Sequence, residues 1–87
     1  MEIQPGRLFV TPSAFELELE HGIITDALLR HLDCDWSEMD PEDAALNRYA
    51  VEHGGRVFSA YQYDQHRIWV ITEADRSMTT VLLPDEY

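Results

Sequence analysis

The sequence predicts an α+β protein: about three short helices packed on a small antiparallel sheet of three to four strands, in the order β-ααα-βββ. Helix-start signals and apolar spacings of three and four residues occupy the first half of the chain. Segments rich in β-branched and aromatic residues, separated by a short polar turn, occupy the last third. The 87 residues suffice for a single domain, spanning residues 1–87.

The first strand and the first helix are predicted next to each other. Residues 6–10 are a short apolar run that suits an edge strand. Thr11 and Pro12 then form a helix start, because Thr is a favoured N-cap and Pro at the first helical position gives up no hydrogen bond. Residues 15–20 alternate apolar and acidic side chains, which is a strand pattern. We prefer a helix because of the start signal and because Gly22 is a favourable helix end.

A second helix is predicted over residues 26–32, with Thr25 as its cap. Arg30 and His31 lie in its last turn, where the helix dipole favours positive charge. Its apolar stripe comprises Ala27, Leu28 and Leu32. Residues 33–40 are predicted to form a loop anchored by Trp36.

The third helix has the clearest start signal in the chain. Asp40 is a favoured cap, Pro41 takes the first helical position, and acids fill the first turn. We expect the helix to end at Gly54. The expected inward face follows a spacing of i, i+3, i+4, i+7 and comprises Leu46, Tyr49, Ala50 and His53.

Three strands are predicted after this helix, over residues 56–63, 67–72 and 78–83. Residues 64–66 suit a tight hairpin turn, and Pro84 ends the last strand. Residues 68–71 are apolar on both sides, which predicts a central strand that is covered on both faces. Three helices cover one face, so the N-terminal segment or a second copy of the chain is expected on the other.

Acidic residues dominate the composition. The chain has 17 Asp and Glu against six Arg and no Lys, so its net charge is −11. Residues 16–43 alone hold ten acids and one cation, Arg30. Such a field attracts basic protein surfaces and repels nucleic acid and anionic membranes. We therefore expect a basic protein partner, and neither direct nucleic-acid binding nor membrane binding. The alternative is a salt-adapted or GC-rich genome, which would spread the acids over the whole surface.

The sequence also predicts a cytoplasmic protein. No apolar run approaches the roughly 18 residues of a membrane span. The first five residues lack the basic and apolar regions of a signal peptide. The single cysteine, Cys34, cannot form an internal disulfide, as is usual in a reducing compartment.

We expect neither an enzyme nor a cofactor. The carboxylates lie in helix first turns or loops, where solvent keeps them ionised, so a catalytic acid–base pair is not indicated. Asp33 and Asp35 flank Cys34 and would raise the pKa of its thiol. His31 and Cys34 form one close pair of metal ligands, whereas a structural zinc site needs four ligands. The preferred interpretation is that His31 ends a helix and Cys34 is a small buried residue.

Two groups of residues are candidates for an interaction surface. The first group is acidic and has no expected role at a helix start: Glu16, Glu18, Glu20, Asp33, Asp35 and Glu38. The second group lies in the polar loop before the last strand: Glu73, Asp75 and Arg76. The loop is open to two interpretations. It is either a recognition loop or a turn whose polar groups satisfy one another, and we prefer the turn.

Several segments together resemble a family of small proteins carried on bacterial plasmids and integrative elements. The longest is residues 68–87, Ile-Trp-Val-Ile-Thr-Glu-Ala-Asp-Arg-Ser-Met-Thr-Thr-Val-Leu-Leu-Pro-Asp-Glu-Tyr. The shorter ones are Thr11-Pro12-Ser13-Ala14, Leu28-Leu29-Arg30-His31, Asp35-Trp36, Glu42-Asp43 with Asn47, and Ser59-Ala60-Tyr61. The resemblance implies a mobile-element setting and no particular activity. Residues 15–20 depart from the more plainly helical leucine pattern of that family.

These observations lead to a first hypothesis about function. The chain is a small acidic interaction module of a mobile element, an anti-CRISPR or anti-restriction inhibitor that occupies the basic nucleic-acid-binding surface of a host defence protein. The alternative is a non-enzymatic regulatory or accessory subunit that forms a homodimer through its sheet. A small enzyme or metal site at His31 and Cys34 ranks third.

Overall fold

The structure, a computed structural model, describes residues 1–87. One strand precedes three helices, three strands follow them, and a single 3-10 turn lies near the C-terminus, so the molecule is α+β. The strands are β1 (Arg7–Val10), β2 (Val57–Tyr63), β3 (His66–Thr72) and β4 (Met78–Leu82). The helices are α1 (Pro12–His21), α2 (Ile23–Leu32) and α3 (Pro41–His53), and the 3-10 turn spans Pro84–Glu86.

The sheet is mixed, with the strand order β1-β4-β3-β2. β2, β3 and β4 form an antiparallel meander, but β1 runs parallel to β4, with Leu8 opposite Thr79 and Val10 opposite Val81. The prediction of an antiparallel sheet is therefore wrong at β1. A parallel pair needs a long connection between its strands, and residues 11–77 supply one. Nothing local to residues 6–10 specifies the direction of a partner so distant in sequence.

β3 is a central strand, as predicted. On the face that the helices cover, called here the inner face, Ile68 and Val70 have no exposed surface. On the opposite, outer face, Trp69 lies edge-on between Phe58 and Tyr87, with ring centroids 4.9 and 5.6 Å away. The inner face of β3 is thus covered by the helices, and its outer face is covered in part by aromatic rings of the same chain. This strand alone therefore gives no reason for a second copy.

The N-terminal segment packs on the helix side of the sheet, and so it does not cover the outer face. Ile3 is buried, and its N–H donates to the carbonyl of Leu32 at the end of α2. Ile3 belongs to one of two apolar clusters, together with Trp36, Ala44, Ala50 and Val57. The other cluster joins α1 and α2 to the sheet and comprises Ala14, Ile24, Ala27, Tyr61, Ile68, Val70 and Val81.

Residues 15–20 are helical, so the preferred interpretation of the alternating segment is confirmed. Gly22 ends α1 in the left-handed conformation, with φ of 68°, and donates to the carbonyl of Glu18. The second helix begins at Ile23, earlier than the predicted residue 26. The Glu18 carboxylate accepts hydrogen bonds from the N–H of Thr25 (2.8 Å) and from its hydroxyl (2.7 Å). The first turn of α2 is therefore capped by a side chain of the preceding helix, which a local capping rule does not detect.

The predicted inward face of α3 is wrong in part. The buried residues are Ala44, Asn47 and Ala50, whereas Leu46 and Tyr49 are 68% and 64% exposed. The Asn47 amide donates to the carbonyl of Phe58 (2.8 Å) and accepts from its N–H (3.1 Å). Asn47 thus pairs with the edge of β2 as a neighbouring strand would. This contact turns the small residues of α3 inward and leaves the large apolar ones outside.

Candidate interaction surface

Charge is divided between the two sides of the molecule. No strand residue is acidic, whereas residues 12–53, which contain the helices, hold eleven acids and two arginines, a net charge of −9. The strand register places Arg7 and Arg67 on the outer face, on the same side as Trp69. The helices pack on the inner face and carry most of the negative charge, but Glu38, Asp40 and Asp43 line a groove together with Arg67.

Three of the six acidic candidates are held by partners within the chain. Glu18 caps α2, and its hydrogen bonds from Thr25 lower the pKa of its carboxyl. Asp35 and Glu38 both bind the guanidinium of Arg30, each at 2.7 Å. Hydrogen bonds from Ser37 and from Arg30 lower the pKa of Asp35 to about 2. These three carboxylates organise the helix junction and the loop around Trp36, which gives them a structural role.

The other three acidic candidates are largely free. Glu16 and Asp33 accept no hydrogen bond from the protein, and Glu20 approaches only the exposed ring of His21, at 3.5 Å. Three acids at the start of α3 join them. Asp40 occupies the N-cap position but makes no side-chain capping bond, and its neighbours in the first turn have no partner either. These six acids are called here the free helical carboxylates: Glu16, Glu20, Asp33, Asp40, Glu42 and Asp43.

The polar groups of the loop between β3 and β4 have partners within the chain, as the preferred interpretation expects, but several of these partners lie outside the loop. Asp75 accepts a hydrogen bond from the N–H of Ser77 (2.9 Å), and Glu73 pairs with Arg56 (3.3 Å). The guanidinium of Arg76 donates to four carbonyls, those of Ala50, Gly55, Glu73 and Ala74, at 2.6 to 3.2 Å. Arg76 therefore ties the C-terminal end of α3 to this loop and has few donors left for a partner.

A groove of about 550 Å³ lies between α3 and the outer face of the sheet. Phe58, Ala60 and Trp69 line its sheet side, and Asp43 and Leu46 line its helix side. Its rim also carries residues of both charges: Glu38, Asp40, Arg56 and Arg67. Two of the free helical carboxylates thus stand beside an aromatic surface. Aromatic faces and carboxylates both attract cations, so the groove suits a basic side chain of a partner.

A buried polar network links the helices to the sheet. His31 lies in the last turn of α2, as predicted, but it has no exposed surface and is held by buried hydrogen bonds. Its Nδ1 lies 2.6 Å from the Ser59 hydroxyl, and its Nε2 lies 2.8 Å from the Thr72 hydroxyl. The Trp36 indole N–H reaches Ser59 (2.9 Å), while Thr72 contacts Thr79 (2.7 Å), whose hydroxyl donates to the carbonyl of Pro5 (2.8 Å).

The two ends of this network fix the direction of every hydrogen bond in it. The indole of Trp36 can only donate and the carbonyl of Pro5 can only accept. Thr79 donates to Pro5, so Thr72 donates to Thr79 and accepts from the Nε2–H of His31. A neutral His31 then accepts at Nδ1 from Ser59. Burial, with a smaller effect from the charge of Arg76, lowers the pKa of His31 to about 4. A neutral His31 is thus the form that the network accommodates.

The Ser59–His31 pair has the composition of a nucleophile and its base, but neither side chain has any exposed surface. His31 also has no free nitrogen for a metal, because both ring nitrogens are engaged by hydroxyl groups. Burial raises the pKa of the half-buried Cys34 thiol, which disfavours the reactive thiolate. No group of three or more His, Cys, Asp or Glu side chains is arranged to hold a metal ion.

The sequence pattern behind this network can be recognised only when it is known which strand residues point to the inner face. Ser59, Thr72 and Thr79 occupy inner-face positions of three adjacent strands, where apolar residues are usual. Three buried hydroxyls require partners, and His31 supplies two hydrogen bonds from one turn of α2. The sequence alone does not place these four side chains together, since they are separated by up to 48 residues.

Comparisons with known proteins give no relative. A scan against protein-family models, a search of the curated proteins and a search of the solved structures each return no match. No helix combines the length and the apolar character that crossing a membrane requires.

Proposed function

We propose that this chain is a small acidic protein-interaction module of a mobile element, an anti-defence inhibitor of the anti-CRISPR or anti-restriction kind. It occupies the basic nucleic-acid-binding surface of a host defence protein and acts without catalysis, in the cytoplasm. The mobile-element setting rests on the sequence resemblance, and the basic partner rests on the charge of the chain.

The observation that carries the proposal is the division of charge. Genome-wide acidity would spread acids over the whole surface, whereas an interaction surface needs them on one side. The helical side has a net charge of −9, and the outer face of the sheet has arginines and aromatic rings instead. A duplex presents about one negative charge per 1.7 Å of its axis, so a dense group of carboxylates on a rigid support can occupy the same basic surface.

The free helical carboxylates are the residues that make this contact. They need no rearrangement to meet a cation, because they have no strong partner to leave. Glu18, Asp35 and Glu38 act as positioning residues that hold the helices and the loop between them. Near the start of α3 the groove adds Trp69 and Phe58 to the contact, and a basic side chain of the partner would enter there.

The test compares two variants that carry the same net charge. One is Asp40→Asn, Glu42→Gln and Asp43→Asn, which neutralises the start of α3. The control is Asp64→Asn, Asp75→Asn and Asp85→Asn, three acids in turns that lie outside residues 12–53. Tagged copies of both and of the unchanged chain are used to capture partners from the host, with mass spectrometry of what elutes as salt rises.

We expect the unchanged chain and the control to retain a basic nucleic-acid-binding protein that elutes steeply with salt, because screening weakens contacts between charged surfaces. The variant at the start of α3 should lose most of this protein. Equal capture by both variants would overturn the assignment of the contact to the helical side. Capture of a partner that is not basic would overturn the proposed function itself.

The alternative, a non-enzymatic regulatory or accessory subunit that dimerises through its sheet, has one observation in its favour. All four residues of β1 are exposed, although three of them are apolar: Leu8, Phe9 and Val10. This observation concerns a different surface from the acidic one, and the two proposals do not exclude each other.

A further inference from the structure

β1 forms one edge of the sheet, and no other part of the chain covers the side of β1 that faces away from β4. At the opposite edge of the sheet, Asn47 pairs with the backbone of Phe58, and Glu38 accepts from the N–H of Gln62. Nothing comparable protects β1, where Leu8, Phe9 and Val10 are 52%, 42% and 40% exposed. An exposed apolar edge strand is a template for pairing with another strand, and proteins usually protect it with charge, proline or a covering segment.

The hydrogen bonds of β1 show which backbone groups are free. The N–H of Arg7 donates to the carbonyl of Ser77, and the N–H of Thr11 donates to the carbonyl of Val81. Because alternate residues of a strand point their backbone groups to opposite sides, the N–H and C=O groups of Leu8 and Val10 point away from β4. Two donors and two acceptors therefore line the open edge.

We infer that β1 is the interface of a symmetric homodimer, in which the two β1 strands pair antiparallel and join the sheets of both copies. The free backbone N–H and C=O groups of Leu8 and Val10 select one register. In it, Leu8 of one copy lies opposite Val10 of the other, and Phe9 lies opposite Phe9. This register forms four hydrogen bonds between the chains. It also places the two Phe9 rings together on the outer face of the sheet and covers part of the exposed apolar surface of β1.

A local charge match points to a second copy of this chain as the occupant, although the two acidic chains repel each other overall. In this register Arg7 of one copy lies opposite Thr11 of the other. The Thr11 hydroxyl donates to the Glu86 carboxylate, so a negative charge stands where the Arg7 guanidinium of the other copy arrives. Arg7 forms no ion pair within its own chain. The two-fold axis repeats this contact at both ends of the paired strands.

The first experiment measures the mass of the purified chain by sedimentation over a range of concentrations at low and high salt. We expect a species of twice 10.1 kDa that becomes more populated with rising concentration and with rising salt, because salt screens the repulsion between two acidic chains. Binding of a basic partner weakens with salt, so this result is independent of the proposed function. A chain that stays monomeric at every concentration and salt would overturn the inference.

Two substitutions at Val10 locate the interface. Val10→Pro removes an N–H that the monomer does not use, and proline is tolerated at an edge strand when its nitrogen faces solvent. Val10→Thr keeps the N–H and is the matched control. We expect Val10→Pro to be monomeric with an unchanged circular dichroism spectrum and Val10→Thr to remain dimeric. A Val10→Pro chain that dimerises as well as the control would place the interface elsewhere and contradict the inference.

Cysteine pairs test the register and do not depend on the proline variant folding. In a Cys34→Ser background, Phe9→Cys should form a disulfide between chains on mild oxidation, since directly opposite residues of an antiparallel pair are close enough to bridge. Leu8→Cys should not, because the two Leu8 positions are offset by two residues and their Cα atoms lie about 8 Å apart. The reverse result would rule out the proposed pairing.

Discussion

At the residue scale, His31 is the side chain whose chemistry is most constrained. It donates through Nε2 and accepts through Nδ1, and both partners are buried hydroxyl groups. Protonation of Nδ1 would leave the Ser59 O–H without its acceptor, because both His31 and Trp36 would then be donors to Ser59. A buried polar group without an acceptor is costly, so the network resists the charged form of His31.

This resistance predicts a loss of stability in mild acid. The pKa of His31 is lowered from 6.5 to about 4 on folding, so the unfolded chain binds the proton more tightly between these values. The contribution of neutral His31 to the free energy of unfolding is fully present above pH 6.5 and is lost as the pH falls toward 4. Between pH 7.5 and pH 5, we expect the free energy of unfolding to fall by about 2 kcal/mol.

Urea unfolding of the unchanged chain and of His31→Gln at both pH values measures this effect. Glutamine can donate and accept but does not titrate, so the variant should lose the pH dependence even if it is less stable overall. His53→Gln, at an exposed position, should behave like the unchanged chain. A His31→Gln protein that keeps the full pH dependence would show that another group is responsible.

At the scale of elements, the junction of α1 and α2 depends on one carboxylate. Glu18 caps the first turn of α2, whereas Glu20, in the same helix, binds nothing but the exposed His21. Glu18→Gln and Glu20→Gln therefore remove the same charge from the same helix but differ in what they disrupt. We expect Glu18→Gln to cost about 1 kcal/mol of unfolding free energy in urea, and Glu20→Gln close to nothing. Equal losses would contradict the capping role.

The elements also show how far the sequence alone leads. The helix starts at Pro12 and Pro41 and the tight turn after Tyr63 depend on local chemistry, so they could be predicted. The parallel pairing of β1 could not, because it depends on contacts about 70 residues apart. The inward face of α3 was also missed, because apolar volume favoured Leu46 over Asn47, whose amide is needed by the edge of β2.

The sequence predicts only part of the candidate interaction surface, because partners brought close by folding decide which carboxylates are free. Counting charges identifies the acid-rich segment but does not reveal which carboxylates already have partners. Arg30 engages Asp35 and Glu38 through the folding of a loop, and Glu18 is engaged across a helix junction. Only the structure separates these from Glu16 and Asp33, which remain free for a partner.

At the scale of the whole molecule, three surfaces have different characters. The helical side is acidic, the outer face of the sheet carries aromatic rings and arginines, and the β1 edge is apolar. A dimer formed through β1 would place the acidic sides of both copies on the same side of a continuous sheet. Such an assembly would double the acidic surface that it presents to a basic partner.

The central claim is that the acidic helical side occupies a surface that otherwise binds nucleic acid. Its most direct test is competition: the captured partner is bound to a labelled DNA or RNA duplex, and the chain is titrated into the complex while fluorescence anisotropy is followed. The account predicts that the chain displaces the duplex, that the variant neutralised at the start of α3 displaces it poorly, and that the matched control displaces it fully. A ternary complex in which the duplex stays bound at saturating chain would contradict the account.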